Sequence, residues 1–208
     1  GGDSIVSIQL VSRARQAGLA ITPKAVFQSP TVAGLAGMCT PVVAAGPSLA
    51  DVASGPLPPT PIMRWLLESG APIDRFHQSM LVLLPVGVSR QHLVEALQAL
   101  LEHHDALRLR VANVGPRVGA CLEILRPEAT DGACWLECVD VSGLDAAALS
   151  DCLEGQREIA AGQLAPAQGR MLAAVWLDAG PDRAGRLLVV IHHLVVDGVS
   201  WRILLPDL

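Results

Sequence analysis

Between residues 39 and 61 the chain carries Pro41, Gly46, Pro47, Gly55, Pro56, Pro58, Pro59 and Pro61. Proline fixes φ and offers no backbone N–H, so this density predicts an irregular linker over 39–60 and a domain boundary within it. A chain so divided folds as two parts, a short N-terminal one and a longer C-terminal one. At 208 residues and 51% hydrophobic composition, the longer part can bury a substantial core. Fifteen Lys and Arg stand against 20 Asp and Glu, for a net charge of −5. No basic stripe is present to neutralise phosphates, which excludes a nucleic-acid binder. The most apolar run, 187–196, contains two histidines and falls short of the about 18–20 residues of a spanning helix, so no membrane association is expected.

No charged segment followed by an apolar one opens the chain, so no secretory signal is read. The five cysteines, Cys39, Cys121, Cys134, Cys138 and Cys152, show no paired spacing. Cys134 and Cys138 have no second ligand pair nearby, so free thiols are expected rather than zinc. Together these predict a reducing, cytoplasmic setting. The opening Gly1-Gly2-Asp3-Ser4 and the apolar end at Leu208 read as the interior of a longer polypeptide.

Ahead of the linker, residues 4–38 read as helical. Ser4 can cap a first helix carrying Ile5, Ile8 and Val11, with Gly18 placed to end it. Further helices are expected after Thr22-Pro23 and over 31–38. Beyond the linker, residues 61–208 alternate helix and strand. Helices are expected over 62–68, from Ser89 with the Leu93, Leu97, Leu100 and Leu101 stripe, over 144–161, and from Ser200. Strands are expected over 79–84, 107–111, 118–125, 135–141, 171–177 and 187–191. Hairpin-length connections beside a crossover helix predict a mixed sheet.

Two patterns carry chemistry. Gly1-Gly2-Asp3-Ser4 delivers a serine to a helix start, where the dipole favours an attached anion, although turning and capping alone also explain it. His192-His193-Leu194-Val195-Val196-Asp197-Gly198 follows a β-branched strand. Alternation sends the two histidines to opposite faces, so only one lines a given cavity. A neutral imidazole there suits a general base, and Asp197 could orient a histidine or pair with an arginine. A satisfied core histidine remains the competing reading. A metal is discounted, because adjacent histidines on a strand do not readily chelate one ion. His103-His104, at an expected helix end, reads as a surface feature complementing the dipole.

Gly1-Gly2-Asp3-Ser4 with Phe27-Gln28-Ser29-Pro30-Thr31-Val32-Ala33-Gly34-Leu35 resembles the second half of a peptidyl carrier domain of nonribosomal peptide synthetases. His192-His193-x-x-x-Asp197-Gly198 is similar to the active-site motif of the condensation/epimerization superfamily. The resemblance implies a truncated carrier over 1–38, lacking its first helix, and the N-terminal lobe of an epimerization or condensation-like domain over 61–208. The implied fold is a helical carrier remnant plus an α/β lobe, a chloramphenicol-acetyltransferase-like mixed sheet with flanking helices. Several stretches lean towards epimerization. Thr60-Pro61-Ile62-Met63-Arg64-Trp65 is similar to a Pro-Ile-Gln-x-Trp-Phe opening, departing from it at Met63 and Leu66. His103-His104-Asp105-Ala106-Leu107-Arg108, Gly198-Val199-Ser200-Trp201 and the carrier's Asp3 resemble the epimerization forms.

By resemblance, Ser4 carries 4′-phosphopantetheine attached by a phosphopantetheinyl transferase, and its thiol holds an aminoacyl or peptidyl thioester. His193 is the implied acid/base at the α-carbon, with His192 shaping the site from behind. Asp197 and Arg108 are expected as an ion pair beneath it, and Gly198 completes the motif. The opposite face calls for a second acid/base, a glutamate of a second lobe that this chain does not reach. The resemblance therefore implies partners in an upstream adenylation domain and that second lobe, and an inactive fragment on its own. The alternatives are a condensation domain using the same His193, a non-catalytic carrier-docking module and, least favoured, a stand-alone acetyltransferase.

Overall fold

A computed structural model describes residues 4–42, 53–112 and 121–208. Gly1–Asp3, the side chains of Ser4, Ile5, Ile8 and Gln16, and residues 43–52 and 113–120 lie outside the described residues. The chain divides into two compact units, Gly1–Asp51 and Val52–Leu208.

The N-terminal unit is built from short capped helices. Helix α1 (Ser4–Gln16) begins at Ser4 and stops two residues before Gly18, whose φ of 79° only glycine adopts without cost. A two-residue strand β1 (Leu19–Ala20) follows. Thr22 caps α2 (Pro23–Gln28), its hydroxyl accepting from the Ala25 N–H, with Pro23 in the first turn. Thr31 caps α3 (Val32–Ala36) in the same way. Strand β2 (Thr40–Pro41) pairs antiparallel with β1. The expectation of helix throughout 4–38 omits β1, which is too short to show any alternation.

The C-terminal unit opens on β3 (Gly55–Leu57), inside the segment expected to be irregular. It pairs antiparallel with β6, Pro56 opposite Glu123, on the edge of a small sheet where a missing N–H is tolerated. The stretch expected to be irregular over 39–60 therefore contributes a strand at each end, β2 to the N-terminal unit and β3 to the C-terminal one. Thr60 then caps α4 (Pro61–Glu68), and β4 (His77–Leu83) starts two residues earlier than expected. Ser89 caps α5 (Arg90–His103) in a reciprocal box with His92. The strict alternation over 107–111 spans a 3₁₀ turn (Asp105–Arg108) followed by β5 (Leu109–Ala112). β6 (Cys121–Ile124) completes the small sheet, in the order β3-β6-β5. Another 3₁₀ turn, Gly132–Trp135, replaces the start of the strand expected over 135–141 and leads into β7 (Leu136–Asp140).

The main sheet runs β4-β9-β8-β7. Asp145 caps α6 (Ala146–Gln163), which connects β7 to its parallel neighbour β8 (Leu172–Asp178). β9 (Arg186–His192) lies antiparallel to both β4 and β8, so the sheet is mixed. The chain closes on α7 (Trp201–Asp207). Both central strands are buried on both faces. Leu187, Val189 and Ile191 pack with Leu93, Leu97, Leu100 and Leu101 of α5. Leu188 and Val190 pack with Ala160, Ala161 and Leu164 beside α6. His192 continues the second set by its parity on the strand, so the end of β9 is a fixed platform when the chain reaches His193.

Candidate active site

His192 is fully buried. Its Nε2 donates to the Ile73 carbonyl at 2.7 Å, and its Nδ1 accepts from the Leu194 N–H at 3.1 Å. Both ring nitrogens are thus engaged with backbone, and burial pushes the imidazole below its ordinary range despite the bond to Ile73. With both ring nitrogens bonded to backbone, His192 is a satisfied group of the fold.

His193 turns the other way. Its backbone N–H donates to the Phe76 carbonyl at 2.8 Å, which anchors the residue just beyond β9. Its ring stacks on Phe76 with centroids 4.7 Å apart. Nδ1 donates to the Val196 carbonyl at 2.8 Å, so in the neutral ring the proton sits on Nδ1 and Nε2 keeps its electron pair. Gln78 approaches that Nε2 at 3.2 Å, and Trp201 Nε1 donates to Gln78 Oε1 at 2.8 Å.

This ring lines a cleft of about 450 Å³ within the C-terminal unit. Ile62, Met63, Trp65 and Leu66 of α4 form one wall, and Phe76 and the 193–197 connection the other. The lining is mostly apolar, with His193, Asp197 and Ser200 as its polar groups.

Asp197 lines the cleft but makes a different bond from the one expected. Its Oδ1 accepts from the Val199 N–H, the Ser200 N–H and the Ser200 hydroxyl at 3.0, 2.8 and 2.7 Å. These hold its carboxyl below the usual carboxylate range, the Ser200 N–H foremost. Arg108 does not pair with it. The buried guanidinium bonds Asp105 Oδ1 at 2.6 Å and the carbonyls of Leu101, Glu102, Leu125 and Ala53. The expected Asp197–Arg108 pair is therefore replaced by two local arrangements. A 3₁₀ turn brings Asp105 and Arg108, three residues apart, within reach of each other, so each charge is satisfied before the other could compete. Gly198 has a φ that other residues share, and a Cβ there would meet nothing within 4 Å.

Elsewhere, His104 pairs with Asp207 at 2.9 Å at the end of α5, rather than serving the dipole alone. The five cysteines are all unpaired, three of them exposed. Sequence reasoning missed Phe76, Gln78 and the part played by Trp201. The available signal was a polar pair, His77-Gln78, at the start of an otherwise largely apolar strand, where it pairs with Ile191 and His192 at the end of β9.

The condensation-domain family profile matches residues 64–208, and the phosphopantetheine attachment site profile matches residues 1–39. The chain belongs to the condensation-domain family. Its carrier-then-lobe order is that of nonribosomal peptide synthetases, and a covalently attached 4′-phosphopantetheine goes with the attachment region. A linear gramicidin synthase protein of Brevibacillus parabrevis is 38% identical over the whole of this chain, which spans 3% of that protein. The crystal structure of the epimerization domain from the third module of tyrocidine synthetase B is 30% identical, with a TM-score of 0.63, over 75% of this chain and 33% of that one. A condensation domain for chain release from the enacyloxin polyketide synthase, 22% identical with a TM-score of 0.56, shares the fold over 100% of this chain and 44% of its own. The condensation-family lobe thus has the α/β architecture of these domains. Among the described residues no helix is long and apolar enough to cross a membrane.

Proposed function

We propose that this chain is part of a synthetase module that epimerises a carrier-bound aminoacyl or peptidyl thioester at its α-carbon, from L towards D. The observation that carries it is His193, whose ring lines an apolar cleft and whose Nδ1 is bonded to the Val196 carbonyl, leaving Nε2 as the acceptor nitrogen of the neutral ring. The 30% identity to an epimerization domain and the Gly198-Val199-Ser200-Trp201 continuation support this over condensation.

In this reading Ser4, at the first residue of a 13-residue helix, is the attachment point. A serine hydroxyl is the group a phosphodiester needs, and the helix N-terminus favours the added negative charge. When bound, 4′-phosphopantetheine supplies a thioester, which acidifies the neighbouring α-proton, and a flexible tether that raises the local concentration of substrate. His193 removes the α-proton from one face or returns it. Phe76 and the Val196 carbonyl hold the ring in plane, and His192 supports the strand end without entering the cleft. Proton delivery to the other face belongs to a second acid/base, proposed as a glutamate of a second lobe. The proposed organisation is a carrier over 1–38, a linker over 39–60 whose end joins the lobe sheet, and the lobe over 61–208. An adenylation domain and a phosphopantetheinyl transferase are the proposed partners, in the cytoplasm.

The test is α-proton exchange in the full-length parent module with a loaded carrier. His193→Ala should slow deuterium incorporation by about 10²–10⁴-fold while Ser4 loading stays normal. Peptide-bond formation on the module's own donor thioester without α-deuterium incorporation would favour the condensation alternative instead.

A further inference from the structure

Gln78 links Trp201 to the cleft's histidine. It lies on β4 opposite Ile191 of β9, one residue short of the strand end that positions His192 and His193. Its Oε1 accepts from Trp201 Nε1 at 2.8 Å, and its Nε2 meets His193 Nε2 at 3.2 Å. An indole N–H can only donate, so Trp201 dictates which way the amide points. The amide nitrogen can likewise only donate, so the His193 Nε2 facing it must be the acceptor. On the ring's far side, the Val196 carbonyl independently requires the proton on Nδ1. Protonating Nε2 would set two donors against each other. Turning the amide to relieve that would press its NH₂ against the indole N–H.

We infer that Gln78, pinned by Trp201, is a positioning residue that keeps His193 in its neutral Nδ1–H form with Nε2 as an acceptor. The inference rests on His193 being the acid/base of the proposed function and adds the groups that set its protonation. A proton taken at Nε2 is held against an opposing donor and is readily given up again, which suits a residue that must return to its basic form each turnover. The titratable groups that face His193 are His192 behind it and Asp197 on the following turn. Phe76, Gln78, Trp201 and the lining residues of α4 and Ala106 are uncharged.

The test is two-bond ¹H–¹⁵N spectroscopy of the 208-residue chain across a pH series, with His192 as the internal reference for the fold. The native His193 should show the Nδ1–H tautomer. Gln78→Glu places a carboxylate at Nε2 and should raise the His193 midpoint by about one unit or more. Gln78→Met, uncharged and of similar length, removes the opposing donor and should raise it by less. Trp201→Phe frees the amide to turn and should also raise it. Midpoints and Nε2 shifts unchanged in Gln78→Met and Trp201→Phe, with His192 signals native, would overturn the inference. If Gln78→Glu disturbs the His192 signals, Gln78→Met decides alone. Since no turnover is measured, this result is separate from the exchange assay, which judges the role of His193 itself.

Discussion

His192 and His193 are neighbours held in opposite tautomers by the backbone: His192 donates from Nε2 to Ile73, and His193 donates from Nδ1 to Val196. In His192 the remaining nitrogen accepts from the Leu194 N–H, whereas in His193 it accepts from the Gln78 side-chain amide. One dipeptide thus yields an imidazole bonded only to backbone and one bonded also to a side chain, with its ring in the cleft lining.

The first prediction concerns acid stability. Burial lowers the His192 pKa in the fold, so between that value and the unfolded value of about 6.5 the unfolded chain binds more protons. His192 therefore makes stability fall as pH drops below about 6.5, and the loss levels off below the folded value. Urea unfolding midpoints at several pH values should show this slope. His192→Asn, if it folds, should flatten it.

Arg108 is expected to matter through what it bonds. Arg108→Ala leaves the carbonyls of Leu101 and Leu125 without their donor and should cost about 3 kcal/mol or more. A double-mutant cycle should give a measurable coupling between Arg108 and Asp105 and none between Arg108 and Asp197. Coupling to Asp197 instead would restore the pairing first expected from the sequence.

Asp197 rigidifies the turn after His193. Asp197→Ala removes the acceptor for two N–H groups and a hydroxyl and should destabilise the lobe by ~1–2 kcal/mol. Asp197→Asn keeps an acceptor oxygen and should recover most of that loss. Equal losses in thermal or urea unfolding for both variants would mean that the charge, and not the turn, is what counts.

Gly198 separates fold from chemistry. A methyl there meets no protein atom, so Gly198→Ala should leave the unfolding midpoint within error. A drop in α-proton exchange in the parent module with unchanged stability would place Gly198 on the path of the tethered substrate.

Ser4 is tested by mass. With a phosphopantetheinyl transferase, coenzyme A and magnesium, a module with a complete carrier should gain one phosphopantetheine arm, and Ser4→Ala should abolish the gain. Modification that persists in Ser4→Ala would move the site to another serine.

Local chemistry in the sequence determined much of this protein. Thr22-Pro23, Thr60-Pro61 and Ser89 set helix starts, because caps act through atoms three residues away. The leucine stripe of α5 and the apolar run of β9 named the core, since periodicity reports burial directly. The same run, broken by two histidines and Asp197-Gly198, pointed to the site. Strand parity even separated the faces of His192 and His193. Tertiary structure decided what depends on distant partners. Gly55–Leu57 is a strand only because β6 supplies a neighbour, which a proline-rich stretch does not announce. Arg108 met Asp105 and four carbonyls instead of Asp197, because a 3₁₀ turn and the packed end of α5 brought them closer. Gln78 and Trp201, 123 residues apart, meet at His193 only once β4, β9 and α7 are assembled. A hydrogen bond has a range of a few ångströms and no preference for sequence neighbours, so its long-range partners are fixed by the fold.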